Sequence, residues 1–290
     1  MNYKVVSLTI ISAFSLLTAC SANEVNSKEP LLLSDNNLVQ LSDIDAREQL
    51  TVLKDGLYFA EDSTYSEDGW KNTVTLEIKD GIITTIEFNS INETATEDKR
   101  TLSQTDEYLM SDADTESLKW HEQIEKLESY IINNQDTSAI QTTEDGKTDT
   151  ISGVTISVTP FLQLMNTALA DGPIEKGNYQ DGHYYAEQET FTDGYKYNIN
   201  LIVENGYIVA AHWDAIKEDD NLTSGHSTEE IQNWNHQAQL LESYLINIQD
   251  PTLITYNEDN KTDAISGVTI EVNQFIELVI QALASGPTID

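Results

Sequence analysis

The chain has 290 residues, of which 50 are acidic and 15 are basic, so its formal net charge is −35. A surface this acidic excludes nucleic acid as a partner, because phosphate binding needs a basic footprint, and it disfavours lying flat on an anionic membrane. The apolar content is ordinary for a globular protein, and the length allows roughly one to three domains.

The first residues form a leader. Lys4 is followed by an apolar run over residues 5–17, which is too short for a comfortable transmembrane helix and is typical of a signal peptide, assigned to residues 1–19. The string LTAC, which ends at Cys20, resembles the lipobox of bacterial lipoproteins. That resemblance implies that Cys20 becomes the first mature residue, carries lipid (palmitate) and anchors the protein to the membrane. Since Cys20 is the only cysteine, an intramolecular disulfide is excluded.

Residues 20–50 are interpreted as the lipidated cysteine and a polar tether. The string IDAREQL within them is a candidate short helix with no counterpart elsewhere in the chain. From residue 51 onward the sequence repeats. DGLYFAE recurs as DGHYYAE, KTDTISGVT recurs as KTDAISGVT, and ALADGP recurs as ALASGP. We assign residues 51–173 to a first module, 174–180 to a linker and 181–290 to a second module. The first module has about a dozen extra residues near positions 92–114.

Each module begins with strand patterns. Val74, Leu76 and Ile78 alternate with polar residues before an Asp80-Gly81 turn, and the second module turns at Asn205-Gly206. Apolar alternation around such a dipeptide is a strong hairpin signal, so DGxYxAE and the hairpin together predict a three-stranded antiparallel sheet.

Two helices follow the strands in each module. Apolar residues at three- and four-residue steps predict a first helix through Trp120 and its repeat Trp234. In the second module, Ser227 and Glu230 can form a capping box for this helix. A terminal helix is expected to begin four residues after each ISGVT, with N-cap and first-turn signals at Thr159-Pro160 and Asn273. The predicted fold class is therefore α+β, with two tandem copies of a small antiparallel sheet packed with two helices.

The repeated loop carries the chemistry. A glycine lets a bulky group approach the backbone, a following helix N-terminus can offer N–H groups to a phosphate, and the threonine hydroxyl is a possible acceptor. No histidine pairs with that threonine in the sequence to act as a base, so covalent chemistry there needs an outside enzyme. The competing interpretation is a loop into a buried helix, duplicated only because the module was duplicated.

DTISGVT and DAISGVT resemble the flavinylation motif of FMN-binding domains, Asp-x-x-Ser/Thr-Gly-Ala-Thr. In that family a separate, Mg²⁺-dependent flavin transferase uses FAD to join FMN through its phosphate to the last threonine. The resemblance implies that each module carries one copy of the motif, with Thr155 and Thr269 as the covalent acceptors. The other motif residues, which the resemblance assigns to FMN binding, are Asp149, Ser152, Gly153, Asp263, Ser266 and Gly267. Val154 and Val268 stand where the family usually has Ala, which adds two methyl groups beside each acceptor. Because both copies share the change, it is interpreted as a variant that the transferase tolerates.

A lipid anchor with two such modules resembles the surface lipoproteins of Gram-positive flavin-based extracellular electron transfer, some of which are pheromone precursors. The resemblance implies a redox carrier on the extracellular face of the membrane rather than a turnover enzyme. It would accept electrons from a quinol-linked membrane dehydrogenase and pass them to iron or another extracellular acceptor. One alternative is a non-redox surface lipoprotein that binds a ligand or partner. Another is that a peptide from the leader, such as AFSLLTA, is the selected product.

Aromatic and histidine side chains are the other candidates for the site. The aromatic candidates to flank a flavin ring are Tyr58, Trp70, Tyr184, Tyr195 and Trp213, whereas Trp120 and Trp234 are expected in the core because they lie on apolar helix stripes. The five histidines do not recur between the modules and show no metal-ligand spacing, so no metal site is predicted.

Overall fold

The computed structural model describes residues 31–34, 37–40, 51–110, 117–192, 194–218 and 229–288. The predicted signal peptide, Cys20, the IDAREQL string and Ser227 lie outside these residues, so those interpretations stay predictions. The strands are β1 (Leu31–Ser34), β2 (Asn37–Gln40), β3 (Thr51–Val52), β4 (Gly56–Glu61), β5 (Trp70–Lys79), β6 (Ile82–Asn92), β7 (Gly182–Glu187), β8 (Tyr195–Glu204) and β9 (Tyr207–Lys217). The helices are α1 (Lys99–Gln104), α2 (Trp120–Asn134), α3 (Thr159–Asp171), α4 (Glu229–Ile248) and α5 (Asn273–Ser285), with one 3₁₀ turn at Pro251–Leu253.

Each module contains one three-stranded antiparallel sheet, in the order β4-β5-β6 or β7-β8-β9. Both hairpins have the turns that the sequence predicts, since Asp80, Gly81, Asn205 and Gly206 all have positive φ. The register shifts at the same place in both, between Glu77 and its neighbour and at the equivalent point of β8. The predicted α+β fold class with a duplicated sheet-and-helix unit is confirmed.

One face of each sheet packs against two helices. Val74, Leu76 and Ile78 are buried beside α2 and α3, as the alternation predicts. The equivalent residues Ile199, Leu201 and Val203 line the second core, beside α4 and α5. Each fully buried aliphatic side chain contributes about 1.5–3 kcal/mol relative to exposure, so these stripes are the main force that holds helices to sheet.

Polar side chains fix α2 and α4 to the sheets of their modules. Glu128 accepts a hydrogen bond from the Phe88 N–H at 2.8 Å, and Glu242 accepts one from the Trp213 N–H at 2.7 Å. At the helix end, the side-chain amide of Gln135 exchanges two hydrogen bonds with the backbone of Ile83. Gln249 and Ile208 repeat that exchange in the second module. These contacts set the helix register that positions the motif loop.

A third small sheet has the order β2-β1-β3. Its strands β1 and β2 lie within residues 20–50, which the sequence interpretation assigns to a tether. Leu32 of β1 pairs antiparallel with Val52 of β3, so this stretch joins the start of the first module through backbone pairing.

The two modules contact each other through the sheet faces that the helices leave uncovered. An apolar cluster joins Phe59, Ile91 and Ala95 of the first module to the second module's Ile202, Val209 and Ala210. At its edge, the buried Lys71 donates from Nζ to the Val209 carbonyl at 2.8 Å. The sequence does not predict whether the two modules touch. In the structure they do, through an apolar cluster that is separate from the cores of the modules.

The linker also docks onto the second module. Gly177 donates its N–H to the Asn205 carbonyl at 2.8 Å, and Tyr179 donates to the Gly206 carbonyl at 3.1 Å. The two backbones approach so closely that a Cβ on Gly177 would lie 2.2 Å from the Gly206 carbonyl oxygen. Only glycine fits there, which explains its position in the linker.

The extra residues of the first module lie between its sheet and α2. This connection, residues 93–119, has 27 residues (119 − 93 + 1), whereas the connection from β9 to α4, residues 218–228, has 11 (228 − 218 + 1). Helix α1 belongs to the longer connection, and its Asp98 cap accepts a hydrogen bond from the Thr101 N–H.

Candidate functional site

The motif loop of each module presents its threonine at the surface. Within ISGVT the isoleucine and the valine are buried, whereas the serine, the glycine and the threonine are exposed, and this holds in both modules. The helix that follows begins at Thr159 or Asn273, four residues after the acceptor, as predicted. Thr155 and Thr269 are therefore presented in the same way on two separate loops.

A buried glutamine holds each threonine. The Gln123 side-chain oxygen on α2 accepts hydrogen bonds from the Thr155 N–H at 2.7 Å, the Ile156 N–H at 3.1 Å and the Thr155 hydroxyl at 3.3 Å. In the second module, Gln237 on α4 accepts the same three bonds from Thr269 and the next residue, at 2.6, 3.1 and 3.2 Å. The hydroxyl partner is a neutral amide oxygen, which is too weak a base to take the proton.

These glutamines were not among the sequence candidates. Their separation, 237 − 123 = 114, equals that of the acceptors, 269 − 155 = 114, so the repeat itself contained the signal. Both glutamines are nearly inaccessible to solvent. A polar residue recurring on the apolar stripe of a helix should have suggested a specific hydrogen-bonding role.

The motif glycine is required by the backbone. Gly153 has φ +83° and Gly267 has φ +90°, a left-handed conformation that side chains disfavour. Leu118 and Leu240 also lie 3.1 and 3.3 Å from where a Cβ would be. A substitution at either glycine is strained by both effects and would shift the threonine two residues later.

The unusual valine of the motif points into the core. Val154 and Val268 are 4% and 5% exposed and belong to the apolar clusters of their modules. Their additional methyl groups therefore occupy core volume rather than the surface around the acceptor hydroxyl. Because both valines are buried, their burial argues against hindrance of a transferase at these positions.

The other motif residues are exposed. Asp149, Ser152, Asp263 and Ser266 all lie at the surface around the threonines. In the first module Lys126 donates from Nζ to the Ser152 carbonyl at 3.1 Å and so adds a positive charge beside the loop. These groups can meet a solvent-borne substrate or enzyme without rearrangement of the core.

The cap residues of the helices beyond the loops already use their N–H groups. The Gly146 carbonyl accepts the N–H groups of Val158 and Thr159, and the Asn260 carbonyl accepts that of Val272. Thr159 and Asn273 are first helical residues rather than N-caps, because Val158 and Val272 occupy the cap positions. These first donors are therefore unavailable to a phosphate on the threonine.

A cleft of about 380 Å³ opens beside Thr269. Its wall includes three packed rings, with Trp213 and Trp234 centroids 4.7 Å apart and Tyr197 stacked at 5.4 Å from Trp213. Lys261 of the motif and the exposed Tyr195 also line it. A flat aromatic heterocycle fits such a wall, since offset stacking on aromatic faces is favourable.

Trp213 is the buried ring behind this wall. It is 2% exposed, and its indole Nε1 has no hydrogen-bond partner among the described residues. A buried donor without an acceptor is costly, and such exceptions often occur at binding sites. The packed rings and the nearby Lys261 fit an anionic, ring-bearing group such as FMN.

The first module is built differently around its counterpart rings. Lys99 Nζ lies 4.4 Å from the Trp70 ring centroid, 5.0 Å from that of Tyr108 and 5.8 Å from that of Trp120. Burial lowers the pKa of this lysine to about 8. The amide of Gln123, which holds Thr155, also donates to the Met110 sulfur at 3.5 Å.

The aromatic candidates divide into three groups. Trp213 and Tyr195 line the cleft beside Thr269, and Trp70 belongs to the Lys99 cluster. Tyr58 and Tyr184 are buried in their sheets, where their hydroxyls donate to backbone carbonyls four residues earlier. Trp120 is buried in the core as predicted, but Trp234 is only partly buried and lines the cleft.

Within the residues that the structure describes, no group of three or more histidine, cysteine, aspartate or glutamate side chains could hold a metal ion. In the same residues, no helix combines the length and apolarity needed to cross a membrane.

No protein-family model matches the chain, and no curated protein does. Among solved structures, the chain is similar to a protein from Clostridium thermocellum solved by NMR, with 44% identity over 41% of this chain and 92% of that chain, at a TM-score of 0.32. It is also similar to a Clostridium perfringens protein solved by crystallography, with 22% identity over 41% of this chain and 88% of that chain, at a TM-score of 0.31.

Proposed function

We propose that the protein is a membrane-anchored extracellular electron carrier that bears FMN covalently on Thr155 and Thr269. The observation that carries the proposal is the identical presentation of the two threonines. Each is exposed, lies two residues after a glycine of positive φ and is held by a buried glutamine. This arrangement presents a hydroxyl at the surface while fixing its backbone, as an acceptor of an external transferase requires.

Attachment needs an external enzyme, because the hydroxyl partner in each loop is an amide oxygen. The threonine oxygen attacks the phosphorus of the FMN half of FAD, and the bond from that phosphorus to the AMP oxygen breaks. AMP leaves with the electron pair, and the threonine proton passes to a base of the Mg²⁺-dependent flavin transferase. No electron is gained or lost in this step.

The chain then contributes binding and electrostatics. Once bound, FMN supplies reversible one- and two-electron chemistry, which belongs to the cofactor rather than to the protein. Gln123 and Gln237 would fix the two attachment points, and Trp234 in the wall of the cleft beside Thr269 would lie near the flavin ring. Membrane components such as a quinol-linked dehydrogenase would supply electrons, and iron or another extracellular acceptor would receive them. Lipid on Cys20 would keep the carrier at the membrane.

The test is co-expression of the mature chain with a flavin transferase, followed by intact mass and in-gel flavin fluorescence. The expected result is two FMN groups on the unsubstituted chain, one on each of Thr155→Ala and Thr269→Ala, and none on the double variant. Ser157→Ala is a matched control in the first module, because its hydroxyl lies just beyond the motif. An unmodified, colourless chain in the presence of an active transferase would contradict the proposal and favour a non-redox lipoprotein.

A further inference from the structure

The contact between the two modules encloses a polar cavity as well as the apolar cluster. The cavity has a volume of about 180 Å³ and lies between β5 and β6 of the first module and β7 and β8 of the second. Both modules contribute carboxylates to its wall, namely Glu87, Asp98, Asp181 and Glu204. Docking the modules therefore brings like charges together, which is unfavourable unless the carboxylates are paired or protonated.

Glu204, the last residue of β8, reaches into this cavity from the second module. Thr73 on β5 donates its hydroxyl to Glu204 Oε1 at 3.3 Å. The other oxygen, Oε2, is inaccessible to solvent and has no hydrogen-bond partner among the described residues. By the repeat register, the counterpart of Glu204 is the exposed Lys79, so the hairpin itself does not require a carboxylate at this position.

The lysines around the cavity are paired with other carboxylates. Lys71 Nζ lies 2.9 Å from Glu61 Oε2, and Lys176 Nζ lies 3.2 Å from Asp181 Oδ2. Within the residues that the structure describes, Glu204 forms no ion pair. The charge of an ionised Glu204 would therefore not be compensated by a described cation.

His183 of β7 joins the two modules at the same cavity. Its Nδ1 donates to the Thr96 carbonyl at 2.8 Å, and its Nε2 lies 3.3 Å from Asp98 Oδ2. Because both ring nitrogens face acceptors, the doubly protonated ring satisfies both contacts. Burial opposes the ionisation of Asp98, but hydrogen bonds from His183 and neighbouring residues hold its pKa well below the usual range. Asp98 therefore stays ionised near Glu204.

We propose that the contact between the modules depends on protons, with Glu204 entering the cavity as a neutral carboxyl and loosening the contact when it ionises. Loss of a proton from the doubly protonated His183 would act in the same direction, because one of its two contacts across the interface would lose its donor. The inference does not depend on FMN attachment, since it concerns only how the modules dock.

The direction of the pH dependence follows from the surroundings of Glu204. Burial, together with the charges of Glu87, Glu61 and Asp98, raises the pKa of Glu204 to about 8, against the opposing hydrogen bond from Thr73. On separated modules the carboxyl is solvated and has its ordinary pKa of about 4.5. As the pH rises between these values, separated modules release the proton and docked modules retain it. Docking should therefore weaken from about pH 5 to about pH 8 and then level off.

Calorimetry of the whole chain from about pH 5 to about pH 8.5 compares the unsubstituted chain with Glu204→Gln. The amide has a similar volume, accepts the Thr73 hydroxyl and does not ionise. We expect nearly equal unfolding temperatures near pH 5, and an advantage for Glu204→Gln that grows by about 2–4 °C per pH unit up to about pH 8. Glu189→Gln, at an exposed position of the second module, should follow the unsubstituted chain.

The same comparison in the Val209→Asp background tests whether the contact causes the effect. Val209 and the cavity-lining Ile202 belong to one apolar cluster, so this substitution should separate the modules. Glu204→Gln should then have no pH-dependent effect on the transition of the second module. Small-angle X-ray scattering makes the comparison without Val209→Asp. At pH 8.5 in low urea, the unsubstituted chain should have a larger radius of gyration than Glu204→Gln while circular dichroism shows that both are folded.

Two outcomes would overturn the proposal. Parallel temperature profiles of the unsubstituted chain and Glu204→Gln would show that Glu204 keeps its ordinary protonation at the contact. A pH-dependent effect of Glu204→Gln that is equally large with and without Val209→Asp would show that the second module alone determines it.

Discussion

At the scale of single residues, one amide oxygen organises each acceptor. The Gln237 oxygen accepts two backbone N–H groups and the Thr269 hydroxyl, so it fixes the loop backbone and the side chain at once. Because the Thr269 hydroxyl donates its hydrogen to the amide oxygen, the lone pairs of the hydroxyl oxygen remain accessible at the surface. The glutamine is a positioning residue, since it acts on the substrate through the threonine.

Replacing this glutamine should loosen the loop. Gln237→Ala removes the acceptor of three donors, and we expect a loss of about 1–3 kcal/mol in the free energy of unfolding, because part-buried N–H groups are left without a partner. Flavin attachment should slow at Thr269 and stay unchanged at Thr155.

Chemical denaturation and site-resolved mass after a timed transferase reaction measure the two effects. Gln281→Ala is the control, because Gln281 is exposed on α5 of the same module. Equal attachment rates at both threonines in Gln237→Ala would contradict the positioning role.

The acceptor and its glycine could be predicted from the sequence, but the glutamine and Lys99 could not. ISGVT repeats as a contiguous string, so its conformation and exposure follow from local pattern. Gln123 lies 32 residues before Thr155 on a helix whose polar positions are otherwise mostly surface. Which helix residue faces the loop depends on helix packing. The only trace of this packing in the sequence is that the two glutamines and the two threonines have the same 114-residue spacing.

At the scale of elements, a buried carboxylate joins α4 to β9. Glu242 is 7% exposed, and burial raises its pKa to about 8, against the opposing effect of its hydrogen bond from the Trp213 N–H. Asp214 raises it further, and His212 Nδ1 lies 3.9 Å away. Burial lowers the pKa of His212, so that side chain is largely neutral near neutral pH.

This carboxylate makes stability depend on pH. A folded-state pKa above the unfolded value means that the native state retains a proton that the unfolded chain has lost. Raising the pH from about 6 towards about 8 should therefore lower the free energy of unfolding, on the order of 1 kcal/mol per pH unit from this group. Above its folded pKa the loss should level off.

Thermal unfolding of the whole chain across this range checks the sign. Glu242→Gln should reduce the pH dependence by the share of this group, because the amide keeps an acceptor oxygen for Trp213 and does not titrate. Part of the dependence should remain, since burial also raises the pKa values of Glu128 and Glu204. Glu277→Gln, at an exposed position of α5, should leave the slope as it was. A slope unaffected by Glu242→Gln would show that other groups control it.

Helix and strand positions were largely predictable from the sequence, whereas connections were not. Apolar alternation and the Asp80-Gly81 turn are local signals, and both hairpins follow them. The predicted N-cap positions of α3 and α5 were wrong by one residue. The valine at each cap position donates its N–H to the carbonyl of residue 146 or 260, and no side chain caps the helix. The packing of α1 depends on Trp70 and Trp120, which are distant in sequence.

At the scale of the whole molecule, the sheets use both faces. Helices cover one face, and the partner module covers part of the other through Ile91, Ile202 and Val209. Polar pairs surround that cluster, including Asn205 Nδ2 to Thr75 Oγ1 at 2.8 Å. The modules should therefore unfold as one cooperative unit.

A buried charge at this interface should uncouple them. Val209 is 2% exposed, and Val209→Asp places a carboxylate in the apolar cluster, at a cost of about 3 kcal/mol or more. Calorimetry should then resolve two transitions where the unsubstituted chain shows one. Ile280→Asp is the matched control, because Ile280 is exposed on α5. One unchanged transition in Val209→Asp would contradict the coupling.

The contact between modules joins unlike surfaces, and this decides how many modules can associate. The surface of Ile202, Val209 and Ala210 corresponds, by the repeat register, to Glu77, Thr84 and Thr85 in the first module. A contact between unlike patches does not close on itself and could in principle add copy after copy into a filament. A second chain arriving at the first module would meet a carboxylate and two hydroxyls instead of an apolar patch. The first module thus ends the series, and growth by this contact stops at two.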